Sequence, residues 1–332
     1  MAKDQSIAKN QSIAKNQSIV FMGTPEFAVQ ILQSLHENGV QIEAVVTAPD
    51  KPAGRGRKIN QSAVKEYALA HGLKIMQPTN LKEAGFLSEL KSLQADLFVV
   101  VAFRMLPEAV WTMPQKGTIN LHASLLPNYR GAAPINWAII NGEQKTGVST
   151  FFIEKEIDTG KVIDQEPLDI GENENVGSLY NRLMTLGSEV MLKTVRSIFN
   201  NNTQSTPQDN FTDSDQKPAP KIFKQDCRVD FSKTVKTTHD FCRGLSPYPA
   251  AWIRLNDDAN GTTKTMKLFN SRITSIRTDQ KKDIRTSENG ILFPCNDYYL
   301  EVDEIQPEGK RRMNYKDFLA GNSIKTLSLN NS

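Results

Sequence analysis

The 332-residue chain contains only three cysteines, Cys227, Cys242 and Cys295. They are far apart, odd in number and without metal-ligand spacing, which argues against a disulfide framework or a cysteine-built metal centre and fits reduced cytosolic thiols. No run approaches the roughly eighteen apolar residues of a membrane span, so no bilayer crossing is expected. Nor is there a large excess of one charge: 40 Lys and Arg stand against 37 Asp and Glu, a formal net charge of +3. The glycine signatures of nucleotide binding are missing too. The first strand-to-helix turn, GTPEF, lacks the second and third glycines of a dinucleotide fingerprint, and GxxxxGK[ST] does not occur. The N-terminal residues lack an apolar core segment, so a secretory signal is not expected.

What is present is a soluble composition, 39% hydrophobic and 23% charged, over a length that suits roughly two domains. Residues 1–17 repeat the polar hexad QSIAKN, which cannot bury a core and reads as a disordered extension. From Ser18 onward, strands and helices alternate. SIVFM is an apolar strand, Thr24 is placed to cap, and a helix opening at Pro25 and Glu26 runs to Asn38 before Gly39 stops it. QIEAVVT, DLFVVVAF, GTINLH and TGVSTFFI follow as strands. Helices are predicted near 61–71, 80–92, 134–141 and 176–200. The alternation predicts an α/β fold, a doubly wound and mostly parallel sheet, whose ligands bind beyond the carboxyl ends of its strands. Between the second strand and its helix lies GRGRK, a basic, flexible loop carrying Arg55, Arg57 and Lys58.

One of only four histidines sits at such a strand end, in NLHASLLPNYRGAAP. Strand side chains alternate faces, so Asn120 and His122 emerge together while Leu121 points into the opposite layer. Pro127 and Gly131 force the chain to loop over the strand tip, and Pro134 can open the next helix. Asp158 follows the next strand, in EKEIDTG. Alone, each is an ordinary turn or core residue. Together they form a polar cluster able to orient a carbonyl, donate to a developing oxyanion and accept a proton. No side-chain nucleophile is evident, so the substrate brings its own.

The runs NLHASLLPNYRGAAPINWAI, GVSTFFIEKEIDTG, TAPDKPAGRGRK and CRGLSPYPAAW together resemble the methionyl-tRNA formyltransferases, from about Ile19 to Ser323. The first two are shared by formyltransferases using 10-formyltetrahydrofolate, and the other two are narrower. The resemblance implies a Rossmann-like catalytic domain followed by a small OB-like β-barrel. It also implies transfer of a formyl group from 10-formyltetrahydrofolate to the amino group of methionyl initiator tRNA. Catalytic roles carry to Asn120 and His122 as donors to the oxyanion and to Asp158 as proton acceptor, with no metal. The loop Ser124, Leu125, Leu126 and Pro127 is expected to receive the folate, with Arg130 anchoring it, and Arg55, Arg57 and Lys58 to contact the tRNA. Ala123 stands where many relatives have glycine, so the loop cannot use a left-handed conformation there.

The expected organisation is an extension at 1–17, a catalytic domain at 18–200, a linker at 201–220, a tRNA-binding barrel at 221–325 and a tail at 326–332. Polar and proline residues mark the linker, and short segments such as AAWIRL and TMKLFNSRIT read as the barrel's strands. Residues 221–332 hold 19 basic against 14 acidic side chains, while residues 1–220 hold 21 against 23. That surplus suits tRNA phosphates. A cytoplasmic monomer is expected. Three other readings compete: a formyltransferase acting on a sugar nucleotide or glycinamide ribonucleotide, a noncatalytic RNA-binding protein, and a hydrolase releasing formate from the same folate.

Overall fold

In the computed structural model, residues 17–53, 58–210, 216–257, 260–279, 281 and 283–330 are described. The hexad extension up to residue 16, and Arg55 and Arg57, lie outside them. The chain begins with β1 (Ser18–Gly23), buried along its whole length, and α1 (Glu26–Glu37). The expected Thr24 cap is not formed. Pro25 occupies the N-cap position and makes no side-chain capping bond, so the threonine falls one residue too early. At the other end Gly39 takes φ +77°, and its N–H donates to the His36 carbonyl at 3.0 Å.

There follow β2 (Gln41–Val46), the short hairpin β3 (Lys51–Ala53) and β4 (Lys58–Asn60), α2 (Ala63–Ala70) and β5 (Ile75–Met76). Then come α3 (Ala84–Ser92), β6 (Leu97–Val101), α4 (Glu108–Trp111), β7 (Thr118–His122) and α5 (Pro134–Ile140). β8 (Lys145–Phe152), β9 (Val162–Asp169) and the long α6 (Val176–Phe199) complete this part. Seven strands form one sheet in the order β5-β2-β1-β6-β7-β8-β9. β5 to β7 run parallel, as expected of a doubly wound sheet, and β8 is antiparallel to β7. The strand order reverses between β1 and β6, the place where such sheets open a crevice.

Layers on both faces explain why LFVVV of β6 is buried at every position. On one face, Val20, Met22, Val46, Phe86, Leu90, Phe98 and Val100 share a core. Phe98, 2% exposed, contributes roughly 2 to 3 kcal/mol by burial alone.

The remaining elements are α7 (Val235–Leu245), β10 (Ala251–Asp257), β11 (Thr262–Leu268), β12 (Ser271–Arg277), β13 (Arg285–Thr286) and β14 (Ile291–Pro294). They end with β15 (Tyr298–Val302), β16 (Glu304–Pro307), β17 (Met313–Asn314), α8 (Tyr315–Leu319) and β18 (Leu327–Leu329). Two antiparallel sheets result, β17-β16-β11-β10-β18 and β12-β15-β14-β13, an antiparallel β region of the kind expected after the α/β part. Alternate residues of β10 turn inward, and Ile253, Leu255, Phe293, Leu300 and Val302 meet in one core with α7. The final residues, expected as a tail, supply β18, which pairs with β10.

By contacts the chain forms two compact units that interleave in sequence. One comprises Met1–Pro127, Val148–Glu166 and Leu183–Ser214, the other Asn128–Gly147, Pro167–Arg182 and Asp215–Ser332. Within the second unit α5 packs on α7. Asn136 Nδ2 donates to the Gly244 carbonyl at 2.8 Å, and a Cβ at Gly244 would come within 2.7 Å of Ile140, so only glycine permits the approach. The buried Arg243 donates to Asp240 at 2.7 Å and to the Glu174 carbonyl at 2.8 Å, which ties the segment before α6 to α7.

Candidate active site

β7 delivers Asn120 and His122 to the carboxyl end of the parallel strands, where β6 lies on one side and antiparallel β8 on the other. Register sets Asn120 opposite Phe151 and His122 opposite Ser149. Leu121 points the other way, against α6, where a Cβ at Gly187 would sit 2.7 Å from it. The alternation expected of this strand therefore holds. Asn120 is half-buried and His122 is 7% exposed. Beside them, Ala102 just beyond β6 adopts φ +47°, an uncommon conformation for a residue with a Cβ.

The β8–β9 connection brings Asp158 to the histidine. Asp158 Oδ2 lies 3.8 Å from His122 Nδ1, and both side chains are largely shielded from water. This is an ion-pair distance, longer than a hydrogen bond. Asp158 has φ +56°, a left-handed conformation that Asp tolerates better than most residues. Gly160 is needed for a different reason: a Cβ there would lie 1.7 Å from the Phe152 carbonyl oxygen. Thr159 Oγ1 donates to the Glu156 carbonyl at 3.1 Å, and Gln208 donates to the carbonyls of Asp158 and Gly160.

The loop Ser124 to Pro127 runs outside regular pairing, and its backbone is satisfied from below. Ser149 Oγ, fully buried, donates to the Ser124 carbonyl at 2.6 Å and accepts from the Leu126 N–H at 3.1 Å. Gln165 Nε2 donates to the Leu126 carbonyl at 2.8 Å and to Ser149 Oγ at 2.9 Å. Ala123 is not among the residues with positive φ. Arg130 reaches Gln216 at 3.2 Å, and its carbonyl accepts from the Ala219 N–H at 2.9 Å, so it ties Asn128–Gly131 to the 216–219 segment.

Lys58 opens β4 in the hairpin, while Arg55 and Arg57 are outside the described residues. Asp50 accepts from Lys65 at 2.5 Å and from Gln77 at 2.8 Å, bonds that hold its carboxyl below the usual range. Among the described residues, no group of three or more His, Cys, Asp or Glu is placed to hold a metal ion.

The structure thus brings His122 and Asp158 together with Asn120 on the same strand. It adds Ser149, Gln165 and Gln208, which sequence reasoning missed. Ser149 is one of three hydroxyls in TGVSTFFI, with Thr146 and Thr150, so nothing in the sequence singled it out. Gln208 lay in a polar stretch with no periodicity to mark it.

Two sequence profiles match the chain: formyl transferase over residues 16–195, and formyl transferase, C-terminal domain over residues 221–323. The methionyl-tRNA formyltransferase of Parabacteroides distasonis is 47% identical over 315 residues, 91% of this chain and 95% of its own. That of Flavobacterium psychrophilum is 49% identical over 319 residues, covering 94% and 98%. Among solved structures, the sugar 3N-formyl transferase WlaRD has a TM-score of 0.63 at 21% identity, over 89% of this chain and 99% of that one, which shows a common fold. Profiles spanning most of the chain, relatives near half identity along almost their full length and a formyltransferase fold agree: the chain belongs to the formyl transferase family, among the methionyl-tRNA formyltransferases.

Proposed function

We propose that this chain transfers the formyl group of 10-formyltetrahydrofolate to the free amino group of methionyl initiator tRNA. One observation carries the reading: the His122–Asp158 pair, 3.8 Å apart, stands at the strand end that also bears Asn120, with little access to water. The folate, as second substrate, supplies an activated formyl carbon. The neutral amine attacks that carbon and forms a C–N bond, its nitrogen becomes positive, and the formyl oxygen becomes an oxyanion. Asn120 Nδ2 and His122 donate to that oxygen, because preorganised donors act most strongly where charge develops away from water. Asp158 takes the ammonium proton directly or through water, the oxyanion collapses to a carbonyl, the bond to the folate nitrogen breaks, and that nitrogen takes up a proton, from Asp158 or water, as tetrahydrofolate leaves.

Ser124 to Pro127 receive the folate. Their inner polar groups are satisfied by Ser149 and Gln165, which supports a loop held in shape for a ligand on its outer side. Arg55, Arg57 and Lys58 contact the tRNA, and residues 221–325, with their basic surplus, hold it through phosphates. In this reading residues 18–200 form the catalytic domain and 201–220 the connection. The protein acts as a cytoplasmic monomer; no helix among the described residues is long and apolar enough to cross a membrane.

The test is an acceptor assay with 10-formyltetrahydrofolate and, separately, charged initiator tRNA, charged elongator tRNA, glycinamide ribonucleotide, an amino-sugar nucleotide and water. Formylation confined largely to the initiator tRNA is expected. His122→Ala and Asp158→Asn should each lower its turnover by at least ~100-fold with folding intact. A faster reaction on a sugar nucleotide, or near-normal turnover in either variant, contradicts the assignment.

A further inference from the structure

The segment after α6 reads in sequence as a spacer, yet its described part is built into the catalytic loop. Thr206 and Val162 exchange two backbone hydrogen bonds, at 2.9 and 2.8 Å, so the chain returns along the start of β9. Two residues later Gln208, 2% exposed, sends its amide nitrogen to the Asp158 carbonyl at 3.0 Å and to the Gly160 carbonyl at 2.7 Å. A primary amide carries two hydrogens and can serve both acceptors at once. These carbonyls flank Thr159 in a loop whose Asp158 is left-handed and whose Gly160 excludes any side chain. Fixing both ends of that turn fixes the direction in which the Asp158 Cβ leaves the backbone, and hence the approach of its carboxylate to His122.

We propose that Gln208 is a positioning residue for the reaction, a two-pronged bracket that holds the Asp158 carboxylate where it meets the reacting nitrogen. This rests on the reading of Asp158 as proton acceptor. Gln208 acts through the loop backbone and need not touch substrate. Glutamate at this position matches the shape but, ionised, offers no hydrogen and turns a negative charge toward two carbonyl oxygens. Methionine matches the length and offers neither carbonyl a hydrogen.

Catalysis is sensitive to displacements of about 1 Å in a reacting group, which can cost on the order of 100-fold. Gln208→Glu should therefore lower kcat by at least ~30-fold, with KM for 10-formyltetrahydrofolate and for tRNA within ~3-fold of the parent. Gln208→Met provides a second, uncharged test should the glutamate variant fail to fold, and it should lose kcat in the same way. The deciding measurement is the double variant. In an Asp158→Asn background, Gln208→Glu and Gln208→Met should cost little more, since the group they misplace is already disabled. Equal fold-losses in both backgrounds, a rise in KM with kcat unchanged, or parent-like kcat in both Gln208 variants overturns the bracket alone. An Asp158→Asn enzyme as fast as the parent overturns the role of Asp158, and the bracket with it.

Discussion

His122 and His239 are both nearly sealed from water, at 7% and 1% exposed, but their surroundings differ. His122 faces the Asp158 carboxylate at the strand end. His239 sits on α7 with Nδ1 2.9 Å from Ser271 Oγ, and burial, with Arg243 nearby, pushes its pKa down to about 4. An ordinary histidine titrates near 6.5. As pH falls through 6.5 the unfolded chain takes up a proton that the folded one refuses until about pH 4. The neutral ring thus contributes stability that is fully present above 6.5 and is lost between 6.5 and 4, up to about 3 kcal/mol. His239→Asn keeps a polar atom for Ser271 and removes the titration. Its urea midpoint, taken relative to its own value at pH 7.5, should fall less steeply toward pH 4 than the parent's. Parallel pH profiles for the two proteins contradict this account.

Among the elements, the loop between β7 and α5 depends on one hydroxyl. Ser149 Oγ serves a carbonyl at Ser124 and an N–H at Leu126, so Ser149→Ala removes two hydrogen bonds to the loop backbone, at roughly 0.5 to 1.5 kcal/mol each. The cost falls on the loop. Affinity for 10-formyltetrahydrofolate should drop about 10-fold or more while KM for tRNA stays put, and Ser149→Thr, which keeps the hydroxyl, should recover most of it. A folate titration by calorimetry decides, and equal affinities in parent and alanine variant refute the dependence. Much of this site was legible beforehand. Period-two alternation placed Asn120 and His122 on one face, and the apolar run of β6 marked a strand covered on both sides. Elements without such a pattern were not legible. β9 is a largely exposed strand with no alternation to betray it, and α7 mixes buried His239, Asp240 and Arg243 into its inner face, so its polar residues disguise a core helix. The hairpin β3–β4 is too short for any period, and Gln208 acts through carbonyls, which no sequence spacing encodes.

Over the whole molecule, the sequence suggests a cut near residue 200, and contacts divide the chain elsewhere. Residues 128–147 and 167–182 belong with the C-terminal unit, where α5 leans on α7 through Asn136 and Ile140 and Arg243 holds the Gly171 and Glu174 carbonyls. A chain ended at residue 205 loses α7 and both antiparallel sheets, leaves the α5 surface bare and also lacks Gln208. Such a fragment should melt at least ~10 °C below the parent or without cooperativity, because apolar helix surface is exposed and the buried bonds of the 171–174 segment are gone. Scanning calorimetry tests this, and a sharp transition at the parent temperature rules it out.

Three of the five unit boundaries fall inside elements, one each in β8, β9 and α6. Each of these elements is one continuous run of backbone hydrogen bonds with a different set of neighbours at either end. Inheritance of the two halves is therefore linked. A chimaera that exchanges the unit carrying the antiparallel sheets between formyltransferases must carry three separated stretches of the chain as a single block, and a junction drawn by sequence likeness alone would graft a new barrel onto a foreign α5.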